Sequence, residues 1–118
     1  NRFLASPQYS NVTCCVEAYI EKNYSDSELS INSISKALFL NYSYLCYCFK
    51  RDKNTTINEY LTQFRINKAI ELLKNKTENI TYVAEKTGFT SASYFSKQFK
   101  KITGITPSEY SKKSHYLK

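Results

Sequence analysis

The sequence predicts an all-α fold of about seven helices, in which a long connecting helix joins two helix-turn-helix subdomains. Glycine and proline are scarce, with two of each in 118 residues, which favours long helices and short loops. A helix-turn-helix pattern occupies residues 83–110, and a second copy of it lies earlier in the chain. Between the copies, the apolar residues of 56–74 recur at helical spacing.

The clearest pattern, at 83–110, is two short helices separated by a tight turn. Gly88 stands where the first of them should end, because glycine tolerates the left-handed backbone of a helix terminus. Ser91 or Thr90 can cap the next helix, and Gly104 should end it. The side chains predicted to point inward on that helix are Phe95, Phe99 and Ile102.

The repeat becomes visible when the chain is shifted by 50 residues against itself. From Tyr44 the two segments run in step for seventeen residues, and upstream the shift is 49, so the second turn is one residue longer. Such a repeat indicates two copies of one supersecondary unit. The identical pairs are Tyr44/Tyr94, Phe49/Phe99, Lys50/Lys100, Thr56/Thr106, Glu59/Glu109 and Tyr60/Tyr110.

Periodicity and cap residues place the helices of the first copy. A helix is predicted at 11–24, followed by a break at the Ser-Asp-Ser of 25–27, a short helix at 31–39, and a third at 42–52 that Asn41 caps. The inward side chains are predicted to be Val12, Cys15 or Val16, Tyr19 and Ile20, then Ile34, Ala37 and Leu38, then Leu45 and Phe49.

The connecting helix, at 56–74, would span about 28 Å at 1.5 Å per residue. Its predicted stripe is Ile57, Tyr60, Leu61, Phe64, Ala69, Leu72 and Leu73. A polar break at 75–79 separates it from helices predicted at 80–87 and, after the second turn, at 107–112, where proline takes the first helical position. The expected organisation is a linker at 1–10, a first subdomain with the connecting helix at 11–74, a second subdomain at 75–113 and a tail at 114–118.

Charge is concentrated in the second part of the chain. Residues 1–49 contain three basic and four acidic side chains, whereas residues 50–118 contain fourteen basic and six acidic ones, for a net charge of +7. A one-sided basic excess is typical of a protein with a polyanion partner, most often nucleic acid, although a solvated lysine-rich surface gives the same count. No apolar run approaches the roughly 18 residues of a membrane span.

The four cysteines, at positions 14, 15, 46 and 48, lack the spacing of a zinc site, whose pairs are usually two to four residues apart. We therefore expect free thiols and no metal. His115, the single histidine, has no partner pattern for catalysis. Neither a glycine-rich phosphate loop nor a serine nucleophile elbow occurs, so the sequence gives no indication of an enzyme or of a cofactor.

Three stretches carry the pattern of a known family: 41–51, 60–73 and, most specifically, 83–110. The last contains Gly88-Phe89, Ser93-Tyr94-Phe95-Ser96-Lys97 and Thr106-Pro107-Ser108-Glu109-Tyr110. On these residues the segment 29–113 resembles the DNA-binding domain of the AraC/XylS family of bacterial transcription regulators. The resemblance implies seven helices, two helix-turn-helix subdomains, a connecting helix and no cofactor in this domain.

Carried over position by position, the resemblance implies which side chains meet DNA. The base contacts would be Ser43, Cys46 and Tyr47 on the first recognition helix and Ala92, Ser93, Ser96 and Lys97 on the second. The phosphate contacts would be Asn41, Lys50, Arg51, Ser91, Lys100 and Lys101. The simpler interpretation of the serines and Tyr47 is plain surface, and that of Cys46 and Cys48 is packing, which we expect for Cys48.

The expected function is sequence-specific binding of double-stranded DNA in transcription regulation, with two recognition helices in successive major-groove segments. We also expect RNA polymerase as a partner, an N-terminal sensory or receiver domain outside this sequence, and no membrane partner. The expected location is cytoplasmic and nucleoid-associated. One alternative is a helical protein-interaction module whose basic face meets an acidic partner. Another is a thiol enzyme, which the cysteine spacing disfavours.

Two departures from the family pattern concern the first subdomain. Its turn contains Phe39 where the family often has glycine, so a rearranged turn is one expectation. Cys46 and Tyr47 stand where the family often has Arg or Gln, which pair with guanine or adenine through two hydrogen bonds. The first recognition helix is therefore expected to use apolar contact with thymine methyl groups and the shape of the DNA.

Overall fold

The structure, a computed structural model, describes residues 11–74 and 79–116, with side chains as far as Lys112. Over those residues it is all-α with no strand, as predicted. The helices are α1 (Asn11–Asn23), α2 (Ile31–Leu38), α3 (Tyr42–Lys53), α4 (Ile57–Leu73), α5 (Ile80–Lys86), α6 (Ala92–Thr103) and α7 (Pro107–Tyr116). The predicted linker, most of the polar break and the last two residues of the tail lie outside the described residues.

The chain divides into two compact units. The first contains α1 and Leu29–Leu61, which include α2, α3 and the first turn of α4. The second contains the rest of α4 from Thr62 onwards, α5, α6 and α7, together with Tyr24–Glu28, the segment that links α1 to α2. Helix α4 thus contributes residues to both units.

In the first unit, α1 contributes Thr13, Val16 and Ile20 to the buried side. Of the two predicted alternatives, Val16 is therefore the buried one, and Cys15 is exposed. The core is completed by Leu29, Ile34, Leu45, Cys48, Phe49, Ile57 and Leu61. The packing role expected for Cys48 is confirmed.

Helix α2 shows where periodicity alone was wrong. Ala37 was predicted to point inward and is exposed. The inward stripe instead runs through Ile31, Ile34 and Leu38, at spacings of three and four, with Ile34 fully buried. In a helix of eight residues two such stripes are available, and packing selects between them.

The core of the second unit is a cluster formed by α4, α5, the following turn and α6. Its buried members are Ile66, Ala69, Leu73, Val83, Ala84, Phe89, Phe95 and Phe99, with Ile70, Leu72, Ile80 and Tyr110 packed against it. Ring centroids are 5.1 Å apart for Phe89 and Phe95 and 5.7 Å apart for Phe95 and Phe99, distances at which aromatic pairs are attractive.

Two predictions about this core need correction. Ile102 was predicted to point inward but is 36% exposed, because the inward row of α6 runs at spacings of four through the buried Phe95 and Phe99 to the half-buried Thr103. The Thr103 hydroxyl donates to the Phe99 carbonyl at 2.8 Å. Ile66, which is fully buried, was missed because it lies five positions after Leu61, off the stripe that starts at Ile57; it shares a face instead with Ala69 and Leu73.

The internal repeat is reproduced in three dimensions. At the start of α4 the Thr56 N–H donates to Glu59 at 3.0 Å and the Glu59 N–H donates to the Thr56 hydroxyl at 3.1 Å. Thr106 and Glu109 form the same reciprocal cap on α7, at 2.9 and 3.1 Å. Edge-to-face aromatic pairs also recur, Phe49/Tyr60 at 5.2 Å and Phe99/Tyr110 at 5.9 Å. The predicted proline at the first position of α7 is confirmed, and α7 extends beyond the predicted end to Tyr116.

The two helix-turn-helix turns share one hydrogen-bonding pattern. After α2, the Leu40 N–H donates to the Ser35 carbonyl at 3.0 Å, and after α5 the Phe89 N–H donates to the Ala84 carbonyl at 2.9 Å. The residue before each donor has a left-handed backbone, with φ of 57° at Phe39 and 93° at Gly88. The first turn is therefore not rearranged: Phe39 adopts the conformation that Gly88 was correctly predicted to have.

Gly88 is held by its surroundings as well as by its backbone angle. A Cβ at this position would lie 2.3 Å from the Tyr24 carbonyl oxygen and 2.8 Å from Arg65 Nε. At Gly104, where φ is 92°, a Cβ would meet nothing within 4 Å. The two glycines therefore form a matched pair, one with strain and a steric clash and the other with strain alone.

We predict that Gly88→Ala lowers the free energy of unfolding by about 3 kcal/mol or more, because the clash adds to the strain. Gly104→Ala should lower it by about 1 kcal/mol. Urea denaturation of both variants measures the difference. Equal losses at the two sites would show that the contacts around Gly88 contribute nothing.

Phe39 offers the opposite test, because it combines a left-handed backbone with a side chain that is 93% exposed. Phe39→Gly removes the strain and loses almost no packing, so the free energy of unfolding should rise by about 0.5–1 kcal/mol. Phe39→Ala keeps the Cβ and should leave stability nearly unchanged. A loss of stability in Phe39→Gly would mean that the phenyl ring packs in a way its exposure does not reveal.

Candidate nucleic-acid interface

The N-cap of α6 sets where the helix begins, and its buried side chains set which side faces outward. Ser91 has an extended backbone and its hydroxyl accepts a hydrogen bond from the Tyr94 N–H at 3.1 Å, which confirms it as the N-cap. Phe95 and Phe99 fix the inner side of the helix. The opposite side, with Ser93, Lys97, Lys100 and Lys101, is exposed, and Ala92 and Ser96 are half-buried along its edge.

Helix α3 is built in the same way. The side chain of Asn41 accepts from the Tyr44 N–H at 3.0 Å, as predicted, and Leu45, Cys48 and Phe49 are buried. The outer side shows Ser43, Tyr47, Lys50 and Arg51, with Cys46 half-buried. Equivalent positions of the repeat therefore present equivalent surfaces, but with different side chains.

None of the side chains predicted to contact DNA is buried. Those that are exposed are Asn41, Ser43, Tyr47, Lys50, Arg51, Ser91, Ser93, Lys97, Lys100 and Lys101. Cys46, Ala92 and Ser96 are half-buried. On each helix the predicted base contacts begin in the first turn and the predicted phosphate lysines follow in later turns, which is the order expected when a helix enters a groove by its N-terminal end. The contacts themselves remain predictions.

Helix α6 carries three exposed lysines on its outer side. Lys97, Lys100 and Lys101 line a surface cavity of about 450 Å³ with the hydroxyl-bearing Ser96 and Thr106. Ammonium groups and hydroxyls are the donors that proteins commonly use to bind phosphate oxygens. Side chains predicted to contact phosphates and side chains predicted to contact bases therefore share this surface of α6.

On the first unit the structure reveals a set of contacts that sequence reasoning missed. The Arg51 guanidinium donates through Nε to Asp52 Oδ1 at 2.9 Å, and this hydrogen bond raises the pKa of Arg51. The Thr13 hydroxyl donates to Asp52 Oδ2 at 2.6 Å. The Arg51 guanidinium also lies 5.6 Å from the centroid of the Tyr47 ring. Of these contacts, the sequence could have suggested only the one between Tyr47 and Arg51, because these two residues are four positions apart on one helix.

Arg65 is a second residue that was not predicted to have a structural role of its own. It lies in α4, where its Nε donates to the Tyr24 carbonyl at 2.8 Å and an Nη donates to the Asp26 carbonyl at 2.9 Å. Its guanidinium is 5.9 Å from the Phe89 ring centroid, and burial lowers its pKa. Arg65 thus fixes Tyr24–Glu28 beside the turn that precedes α6.

The cysteines form no disulfide: Cys14 and Cys15 are exposed, Cys46 is half-buried and Cys48 is buried. Burial raises the pKa of the Cys46 thiol, which keeps it protonated and weakens it as a nucleophile. Within residues 11–74 and 79–116 no three metal-ligating side chains come together. In the same part of the chain, no helix has the length and apolar character needed to cross a membrane.

Comparison with known proteins agrees with this geometry. Residues 34–113 match a helix-turn-helix domain family. The Msm operon regulatory protein of Streptococcus mutans serotype c (strain ATCC 700610 / UA159) is 36% identical over 97 residues, which cover 82% of this chain and 34% of that protein. The chain spans about a third of the length of the curated relatives it matches first.

Solved structures resemble this one closely. The C-terminal domain of AraT, a response regulator from Geobacillus stearothermophilus, superimposes with a TM-score of 0.85 at 32% identity, over 88% of this chain and 86% of that one. The DNA-binding domain of AdpA, a global transcriptional factor, gives the same TM-score at 16% identity over 92% of this chain and 97% of that one, which shows a shared fold. The chain therefore belongs to the AraC/XylS family of helix-turn-helix transcription regulators, and it is a DNA-binding domain of that family.

Proposed function

We propose that the domain binds a specific double-stranded sequence by placing α3 and α6 in successive major-groove segments, with basic side chains on the flanking phosphates. The observation that carries this proposal is the repeated presentation of α3 and α6, each capped at its start, buried on one side and polar on the other. The DNA-binding domain of AdpA, which shares the fold, is bound to a target DNA in its structure. This supports the same mode of use here.

In this proposal the side chains divide into two classes. Ser43, Cys46, Tyr47, Ala92, Ser93, Ser96 and Lys97 meet base edges, whereas Asn41, Lys50, Arg51, Ser91, Lys100 and Lys101 meet phosphates. Phosphate contacts fix the position of the protein and supply affinity, and base contacts supply specificity. No enzymatic step is part of this function.

The natural protein is proposed to contain further parts. The relatives are about three times as long as the matched segment, which leaves room for a sensory or receiver domain N-terminal to this one. The C-terminal domain of AraT, which belongs to a response regulator, supports a receiver in particular. RNA polymerase is proposed as the partner through which the bound protein alters transcription, and a nucleoid-associated, cytoplasmic location follows from that role.

The phosphate contacts predict a steep dependence on salt. Between about 50 and 200 mM salt the affinity should fall by orders of magnitude, because each neutralised phosphate releases counterions. Lys50→Ala and Lys100→Ala should each weaken all DNA sequences alike and reduce the slope of log affinity against log salt by about one. Lys22→Ala, which removes a charge from the last turn of α1, is the control and should leave the slope unchanged. Affinity that does not respond to salt would contradict the proposal.

Lys97 is the long, charged donor among the proposed base contacts of α6, and it predicts a change of specificity. Selection from a random DNA pool should yield two unlike half-sites, meaning the segments read by α3 and by α6, about 10 base pairs apart. Lys97→Ala should alter one or two base pairs in the α6 half-site, at a cost of about 1–3 kcal/mol there. Lys101→Ala should lower affinity without altering the selected sequence. An unaltered sequence with Lys97→Ala would make Lys97 a phosphate contact.

A further inference from the structure

The two recognition helices place different chemistry at equivalent positions. With the shift of 50 residues, the proposed base-reading positions of α6 align with Tyr42, Ser43, Cys46 and Tyr47 on α3. Lys97, a hydrogen-bond donor, is replaced by Tyr47, and Ser96 is replaced by Cys46. The outer side of α3 therefore presents a ring and a thiol where α6 presents an ammonium and a hydroxyl.

Tyr47 is well exposed yet held by its neighbours. Its side chain is 61% exposed, and the Arg51 guanidinium, one turn further along α3, lies 5.6 Å from the ring centroid. A cation at this distance from an aromatic ring is attracted to its face. The ring is thus supported on one side by a charged group and open to solvent elsewhere.

Arg51 is itself held in position by a hydrogen bond to Asp52. Its Nε is bonded to Asp52 at 2.9 Å, and the Asp52 side chain is only 4% exposed. The Thr13 hydroxyl, fully buried on α1, donates to the second oxygen of the same carboxylate. A chain of contacts therefore runs from the core of the first unit through Asp52 and Arg51 to Tyr47.

At the aligned positions of the second unit the sequence does not allow such a chain. The residues aligned with Tyr47, Arg51 and Asp52 are Lys97, Lys101 and Ile102. None of these three can reproduce the ring, the planar guanidinium or the carboxylate. The arrangement is consequently particular to α3 and does not follow from the shared fold.

We propose that Tyr47, held in position by Arg51, reads thymine methyl groups in the half-site bound by α3. This inference rests on the proposed function and adds the kind of base that the first unit recognises. The thymine methyl is the one apolar group that a base pair presents in the major groove, and a rigid ring beside a thiol is suited to cover it. Arg51 is then a positioning residue, in addition to any contact its outer amino groups make with phosphate.

The experiment replaces single thymines of the selected α3 half-site by deoxyuridine, which lacks only the methyl group. Affinities are measured by fluorescence anisotropy at constant salt. At one or two positions the affinity should fall about fourfold, the value of one buried methyl-sized group. Uracil in place of thymine outside the two half-sites is the control and should have no effect.

Three variants separate the roles of the two residues, and a fourth serves as the control. Tyr47→Ala should abolish the uracil effect, and Tyr47→Phe should keep it, because the ring and not the hydroxyl covers the methyl. Arg51→Lys, which keeps the charge but not the planar group held by Asp52, should reduce the uracil effect while leaving the salt slope unchanged. Lys101→Ala, at the aligned position of α6, should leave the uracil effect intact.

The outcomes distinguish this inference from the proposed function. If the native domain binds a selected sequence but uracil at every thymine of the α3 half-site leaves the affinity unchanged, the methyl-reading role is wrong and the proposed DNA binding stands. A uracil effect that persists in Tyr47→Ala assigns the contact to another side chain and also overturns the proposal. If Arg51→Lys keeps the full uracil effect, the positioning role of Arg51 is wrong. Failure to select any sequence would instead overturn the proposed function.

Discussion

A left-handed residue in the turn of each unit is the constraint on which the recognition helices depend. Phe39 and Gly88 direct the chain out of a helix, and Asn41 and Ser91 begin the next helix almost at once. A right-handed backbone at these positions would continue the helix, so the hydrogen bonds that close the turns could not form. That one of the two positions is Phe shows that the turn geometry is maintained even where it costs conformational strain.

Features that depend on a few neighbouring residues could be predicted from the sequence. The caps at Asn41 and Ser91, the left-handed Gly88 and the buried Phe95 and Phe99 all follow from local rules of helix termini and periodicity. The side chains that were misplaced are Ala37, in a helix of eight residues, and Ile102, in the last turn of α6, where the inward row continues to Thr103 instead. The packing partners from other helices decide which stripe is buried, and the local sequence does not identify those partners.

For the candidate site, the sequence predicted which side chains are exposed but not which contacts hold them in position. The outward direction of Lys97 and Tyr47 follows from the buried row on the same helix. The support beneath Tyr47 includes a hydrogen bond between Thr13 and Asp52, which are 39 residues apart in sequence. No local pattern links these two residues. The repeat predicts a common frame for both units, whereas the chemistry carried by that frame has diverged between them.

The reciprocal caps on α4 and α7 have an electrostatic consequence. Each places a carboxylate, Glu59 or Glu109, in the first turn of its helix, and hydrogen bonds led by the Thr56 N–H lower the pKa of Glu59, so that it stays ionised. The positive ends of these helix dipoles are thereby neutralised within the chain. The first turns of α3 and α6 contain no acidic residue. Of the seven helices that the structure describes, only α4 and α7 have a carboxylate in the first turn, so α3 and α6 begin without a negative charge that would repel a polyanion.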